Sequence, residues 1–305
     1  MHCKTFPLLL TACALLVSCS TPAEPTEYQL FYLGGQSNMD GYGYVNELPS
    51  ELNAPVEGVR IFHGNMADDG VAPDGRGVWS EPQPGQGGGF TSDGQTNTYG
   101  DRFGVELTFA RRMQELRPDA RIAIIKYSRG GTSLDIEGVY GTWAPEYEGG
   151  EGEGAGINQY DHFLATVENA LSVTDIDGDG VEDVLIPSGI VWMQGESDAG
   201  TEEIALRYEA NLTQMMGLIR TAFGASEMPV VIGRISDSGR DDDGIVWTYG
   251  DIVRTAQASF VVNDGHAALV TSTDDYEYSD PWHYDTAGFI DLGRQFADAL
   301  VSMGE

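Results

Sequence analysis

The sequence predicts an α/β domain: a central parallel sheet covered by helices on both faces. Three observations carry this. Short apolar runs alternate along the chain with amphipathic stretches. Several of those runs are apolar throughout, which is what a parallel strand buried on both faces requires. The stretches between them repeat apolar residues at helical spacing, so strand and helix follow one another as right-handed crossovers demand.

The strands are expected at 28–33, 59–63, 121–127, 184–193, 229–235 and 267–271. Four helical stripes lie between or after them. Val105, Phe109, Met113 and Leu116 fall on one face, as do Tyr160, Phe163, Val167 and Leu171. Ala205, Tyr208, Leu212, Met215 and Ile219 make a third, and Phe289, Leu292, Phe296 and Leu300 a fourth. The glycine-rich segments 84–89 and 149–156 read as mobile surface insertions. Neither carries the Gly-Lys-Ser/Thr ending of a phosphate loop. No internal repeat and no linker interrupts the pattern, so residues 27–305 read as one domain.

Composition narrows the partners. Hydrophobic residues at 41% can build a core, and this argues against long disorder despite the charge. Lys and Arg number 16 against 48 Asp and Glu, a formal net charge of −32. Such a surface has no basic groove for nucleic acid and no electrostatic affinity for anionic lipid. It reads as a highly solvated exterior, as in secreted proteins from saline habitats.

Residues 1–18 have the form of an export signal. Lys4 is followed by an apolar stretch over 6–17 that is too short to span a bilayer. It ends in Leu16-Val17-Ser18-Cys19, which resembles a bacterial lipobox, with an ordinary secretory cleavage nearby as the other reading. Cys19 is then the lipidated residue, residues 19–26 are a tether, and the protein is expected at the cell envelope, periplasmic or outward-facing. Cys3, Cys13 and Cys19 all lie in this segment, so the remaining chain has no disulfide, cysteine-ligated zinc or cysteine nucleophile. His63, His162, His266 and His283 show no metal-ligand spacing, and the first three read as surface or packing residues.

Residues that carry chemistry cluster at the carboxyl ends of the expected strands, where ligands of such sheets bind. The first strand runs into Gly34-Gly35-Gln36-Ser37-Asn38-Met39, which presents the Ser37 hydroxyl beside backbone N–H groups. Alone, this block reads equally as a structural turn. The third strand leads into Arg129-Gly130-Gly131-Thr132, where glycine permits close backbone approach, or serves as a plain helix-entry turn. The fourth ends in Trp192-Met193-Gln194-Gly195-Glu196-Ser197-Asp198. There Gln194 has an amide able to donate to an oxyanion, and Glu196 and Asp198 either orient partners, bind sugar hydroxyls or solvate the strand end. Near the C-terminus, Asp280-Pro281-Trp282-His283 spaces a carboxylate and an imidazole so that they can meet across one turn.

These four blocks, in this order, resemble the SGNH-hydrolase superfamily, and within it the carbohydrate-esterase branch that includes sialic-acid-specific acetylesterases and acetylxylan esterases. The resemblance spans residues 28–303. It implies a flavodoxin-like three-layer α/β/α sandwich, Ser37 as nucleophile, His283 as general base and then acid, and Asp280 as the residue orienting it. It further implies an oxyanion hole from the Ser37 N–H, an N–H of Gly130 or Gly131, and Gln194, with Gln36, Asn38, Glu196 and Asp198 binding substrate or supporting the site. The superfamily usually has Asn where Gln194 stands. The implied reaction is hydrolysis of O-acetyl esters of carbohydrates, with no cofactor needed for catalysis. General-base chemistry needs neutral His283, so activity is expected to rise from acid to neutral pH.

A separate signal is Asp175-Ile176-Asp177-Gly178-Asp179-Gly180-Val181-Glu182-Asp183. Carboxylates at alternating positions, with the carbonyl of Val181 between them, suit a structural Ca²⁺ held by Asp175, Asp177, Asp179, Val181 and Asp183, or else form a solvated acidic turn. Two functions from different classes follow: a lipid-anchored carbohydrate O-acetylesterase, or a non-catalytic, Ca²⁺-dependent glycan-binding lipoprotein. An esterase of non-carbohydrate short-chain esters differs from the first in substrate alone.

Overall fold

The structure is a computed structural model describing residues 1–2 and 24–304. The export signal, Cys19 and most of the tether lie outside the described residues. Six parallel strands form the sheet: β1 (Glu27–Gly35), β2 (Val59–His63), β3 (Arg121–Ser128), β4 (Val184–Met193), β5 (Val230–Gly233) and β6 (Ala267–Val270). Their spatial order is β6-β5-β4-β1-β3-β2. Without the extra edge strand β2, this is the 2-1-3-4-5 order of flavodoxin-like sheets, so the expected fold is the observed one.

Strand β1 is central, and the chain winds outward from it first toward β3 and later toward β4. The crevice at this switch point lies at the carboxyl end of β1, where Gly35 pairs with Ser128 on one side and Met193 on the other. β1 runs apolar because both its faces are covered: Leu30, Phe31, Tyr32 and Leu33 are all buried.

Successive residues of β1 point to opposite layers. Phe31 meets Phe109 of helix α2 (Glu106–Leu116) edge-on, with ring centroids 5.6 Å apart. Tyr32 meets Phe163 of α3 (Gln159–Leu171) at 4.9 Å. Helix α6 (Thr286–Ser302) packs on α2, placing Leu300 near Phe31. On the other side α4 (Glu202–Ala222) brings Leu212, Met216 and Ile219 into the core, each side chain stabilising the fold by about 1.5–3 kcal/mol. No described helix is long and apolar enough to cross a membrane.

Three expectations are corrected. Helix α5 (Gly250–Asp264), packed on α4, is absent from the apolar stripes of the sequence. Its buried face is Gly250, Val253, Ala256, Gln257 and Phe260, where Gly, Ala and Gln break up the apolar period that Val253 and Phe260 alone would give. Leu171 does not complete its stripe but points outward at the end of α3. The segment 84–89 is not a surface insertion, since Gly85, Gln86 and Gly87 are buried. Its anchor is Lys126 of β3, whose ammonium donates to Gln86 O at 2.9 Å, Asp40 O at 2.8 Å and Glu106 Oε2 at 2.7 Å. These three bonds use all of its donors and satisfy a fully buried cation. The 149–156 segment does lie at the surface.

Candidate active site

Beyond β1 the chain turns into a single helical turn, α1 (Ser37–Asp40). Gly35 makes this turn possible. Its φ is +145°, and a Cβ there would lie 1.9 Å from the carbonyl oxygen of Met193 in β4. The Gln36 N–H then donates to that carbonyl at 2.9 Å, which locks the turn to the neighbouring strand. Ser37 is left at the mouth of the crevice, lining a cavity of about 770 Å³.

His283 lines the same cavity. It arrives on a tight loop closed by a bridge between Tyr278 and Tyr284 and by the Ser279 N–H bonding to His283 O at 2.9 Å. Within the loop, His283 Nδ1 and Asp280 Oδ2 are 2.7 Å apart, while Asp280 Oδ1 accepts the N–H groups of Trp282 and His283 at 2.8 and 2.9 Å. Partial burial pushes the Asp280 carboxyl up. The hydrogen bonds from His283 and Trp282 outweigh this and hold it below the ordinary carboxylate range. The carboxylate fixes one ring nitrogen, so Nε2 is the nitrogen free to exchange a proton with a substrate or nucleophile.

Gly130 closes the other side. A Cβ placed on it would sit 3.3 Å from the Ser37 Cβ, so this backbone lies directly against the serine. Gly131, at φ +76°, also lines the cavity.

The supporting residues are tied together across the chain. Asn38 Nδ2 donates to Glu196 Oε1 at 2.8 Å and to Trp282 O at 3.1 Å, and Asn38 Oδ1 accepts from the Tyr284 N–H at 3.4 Å. One asparagine thus binds the serine turn to the β4 loop and to the histidine loop. Gln36 Oε1 accepts from the N–H groups of Gly195 and Ser197. Burial raises the Glu196 carboxyl, and the Asn38 bond only partly offsets this.

Gln194 does not have the expected oxyanion geometry. Its amide nitrogen donates to Thr132 O at 3.1 Å and to the Asp198 carboxylate, so both N–H groups are committed, and its side chain is no part of the cavity wall. Asp198 faces inward as well. It accepts from Ser133 Oγ at 2.8 Å and from the Leu134 N–H at 3.1 and 3.2 Å, bracing the glycine block instead of meeting substrate. Burial raises its carboxyl to about 7 against those bonds.

Several cavity residues escape sequence reasoning: Asp40, Tyr42, Tyr140 and Trp247 belong to no recognisable motif. Trp282 lies inside the Asp280–His283 block, and its neighbours are its only signal. His63 is buried against Phe90, His162 is buried with Nε2 3.1 Å from Asp68 O, and His266 is exposed; all three lie outside the cavity wall.

In the acidic loop, carboxylate oxygens of Asp175, Asp177 and Asp183 come within 4.8 Å of one another. Asp179 does not join them: it turns its Oδ1 back to the Val181 N–H at 2.8 Å. The remaining three fit a hard cation's preference for oxygen, although Asp175 spends both oxygens on the N–H groups of Gly178 and Gly180.

Comparisons with known proteins find the same fold elsewhere. In solved structures the fold recurs in a protein of Arabidopsis thaliana, with 21% identity and a TM-score of 0.61 over 92% of this chain and 99% of that one. It recurs in a carbohydrate acetylesterase of Xanthomonas citri, with 18% identity and a TM-score of 0.63 over 91% of this chain and 57% of that one. NanS matches at 17% identity and a TM-score of 0.55 over 92% and 99%. No curated protein matches by sequence. Residues 27–302 match the family described as carbohydrate esterase, sialic acid-specific acetylesterase, and the chain belongs to that family.

Proposed function

We propose that the protein is a serine esterase that removes O-acetyl groups from carbohydrates. The observation that carries this reading is the meeting of Ser37 with the Asp280–His283 pair in one cavity at the carboxyl end of the sheet. Family membership supports ester hydrolysis as the reaction class.

In this reading His283 takes the Ser37 proton as the hydroxyl oxygen attacks the ester carbonyl, and Asp280 stabilises the imidazolium that forms. The N–H groups of Ser37 and of Gly130 or Gly131 receive the oxyanion; Gln194, its donors spent, holds Asp198 and Thr132 in place. The sugar alcohol leaves with the proton from His283. Water, activated by the same base, then releases acetate and restores Ser37.

The export signal and Cys19 support a lipid-anchored enzyme of the cell envelope. The convergence of Asp175, Asp177 and Asp183 supports a Ca²⁺ ion bracing the entry to β4. The test is acetate release by the protein and by Ser37→Ala from acetylated xylan, acetylated sialic acid and acetylated pectic or algal glycans. Release by the first and not the second is the expected result. Equal release by both removes Ser37 from the mechanism, and silence from both, with an activated acetyl ester also untouched, removes the esterase.

A further inference from the structure

Beside the cavity the chain displays an aromatic ring that the core does not use. The loop after the glycine block turns through Gly138-Val139-Tyr140-Gly141, and its tip leaves Val139 82% and Tyr140 77% exposed. Both residues line the cavity that contains Ser37 and His283.

The loop that carries them is firmly tied. Asp135, at its start, accepts from Arg207 of α4 at 2.7 and 2.8 Å, from Asn211 at 3.0 Å and from the Glu137 N–H at 3.0 Å. The Asp135 carbonyl accepts the Gly138 N–H at 3.0 Å and the Thr142 hydroxyl at 2.7 Å. On the return, Gly141 O accepts the Ser133 N–H at 3.0 Å, and the Thr142 N–H donates to Asp69 at 2.8 Å. A Cβ on Gly131 would lie 3.2 Å from the Tyr140 Cβ, as one on Gly130 would lie 3.3 Å from the Ser37 Cβ. Adjacent residues of one glycine pair thus abut the serine and the tyrosine. A ring held out by so many bonds is already ordered, so a ligand stacking on it is spared that loss of entropy.

Size limits what can cover the ring. An aromatic side chain buries about 150–250 Å². Each partner in a stable protein interface gives up about 800 Å², and a protein seated here would also close the cavity. A sugar ring offers a flat face of C–H groups edged with hydroxyls, which suits an exposed aromatic face. Arg129 and Asp68 on the same cavity wall supply a donor and an acceptor for such hydroxyls. Trp282, beside His283, adds a second aromatic face at 51% exposure. The cavity, at about 770 Å³, is the size that takes ligands of several rings.

We propose that Tyr140 is a specificity-determining residue that stacks on a sugar ring adjoining the acetylated one, so that the preferred substrate is a glycan chain instead of a free sugar. This rests on the esterase reading for the placement of the acetyl group at Ser37. The platform itself follows from the loop.

The test compares acetylated xylose, acetylated xylotetraose and p-nitrophenyl acetate as substrates. The tetraose is expected to exceed xylose at least about tenfold in kcat/KM. Tyr140→Ala should lower the ratio of tetraose to p-nitrophenyl acetate kcat/KM about three- to tenfold, while Tyr140→Phe and Tyr140→Trp keep a ring and hold the ratio. Native gels containing acetylated xylan, pectin or alginate read binding without turnover. At least one polymer should retard the Ser37→Ala protein, and less so once Tyr140→Ala is added. The proposal is overturned if the tetraose is no better than xylose, if Tyr140→Ala leaves the ratio and the retardation unchanged, or if no polymer retards the protein. Light scattering that finds a dimer dispersed by Tyr140→Ala would also overturn it, by covering the ring with a second copy of the chain. Retardation that depends on Tyr140 without hydrolysis of p-nitrophenyl acetate would remove the esterase and leave the platform. Hydrolysis without retardation or chain-length gain would do the reverse.

Discussion

The ring of Tyr42 lies flat against the imidazole of His283, with centroids 3.8 Å apart and planes parallel. This contact and the Asp280 hydrogen bond confine the imidazole from two directions, one through its face and one through Nδ1. Replacing Tyr42 by Phe keeps the face, so kcat/KM on p-nitrophenyl acetate should stay within about threefold. Tyr42→Ala frees the ring and should cost about ten- to a hundredfold, the scale set by misplacing a reacting group by an ångström. Equal losses in both variants would point to the hydroxyl instead of the stacking.

In the proposed mechanism, Asp280→Asn preserves size but removes the charge that would stabilise the imidazolium and select its tautomer. A fall in kcat of about 10³–10⁴ is expected, by analogy with serine triads generally. Because hydrogen bonds hold the Asp280 carboxyl below the ordinary range, it is already ionised over the acid-to-neutral span. The wild-type rate should therefore rise from acid to neutral pH through groups other than Asp280, since the base has to be unprotonated to take the Ser37 proton. A flat profile of log(kcat/KM) from pH 5 to 8 would contradict that base.

Glu196 is tied to the Ser37 turn through Asn38. Removing its carboxylate in Glu196→Ala leaves the Asn38 amide without its buried acceptor and loosens the link to Trp282 O. Glu196→Gln retains an acceptor oxygen. Steady-state kinetics should show kcat reduced about tenfold or more in the Ala variant and largely recovered in the Gln variant. Recovery would be missing if the charge itself were what mattered.

Asp198 is a buried acid whose folded-state carboxyl is raised to about 7 from an ordinary value near 3.8. The folded chain therefore holds a proton there that the unfolded chain releases. Its stability contribution is present below about pH 4 and is lost as pH rises to about 7. Asp198→Asn escapes this loss. Its melting temperature relative to wild type should climb between pH 4.5 and 7.5 and then level off. A difference independent of pH would mean that Asp198 ionises normally in the folded protein.

If Ca²⁺ binds Asp175, Asp177 and Asp183, millimolar Ca²⁺ should raise the melting temperature and a chelator should lower it, through preferential binding to the folded state. Asp183→Asn should abolish the response. Identical melts with Ca²⁺ and with chelator would reduce the loop to an acidic turn held by its own backbone bonds.

The sheet was legible because strands buried on both faces have to be apolar in sequence, as 28–33 and 121–127 are. Helix α5 was not, because Gly250, Ala256 and Gln257 bury without an apolar signature. Gln257 earns its place through tertiary bonds to Ile235 N, Gln194 O and Gly233 O. Lys126, read as part of a strand, proved to be the post joining α1, α2 and the 84–89 segment. Its three acceptors come from three separate stretches of chain.

At the site, the sequence by itself determined which reactive groups stand at the strand ends and in what order: Ser37, the Gly130-Gly131 pair, the Gln194 block and Asp280 with His283. Local geometry suffices for that, since a sharp turn after a buried strand needs glycine, and an Asp-x-x-His turn closes on itself. The tertiary structure alone decided which polar groups remain free. Gln194 loses its donors to Thr132 and Asp198, whereas Asp40 keeps an unshared oxygen because Lys126 is satisfied by the Asp40 backbone, Gln86 and Glu106. Hydrogen-bond capacity is local to a residue, but its use depends on partners that only the folded chain brings within reach.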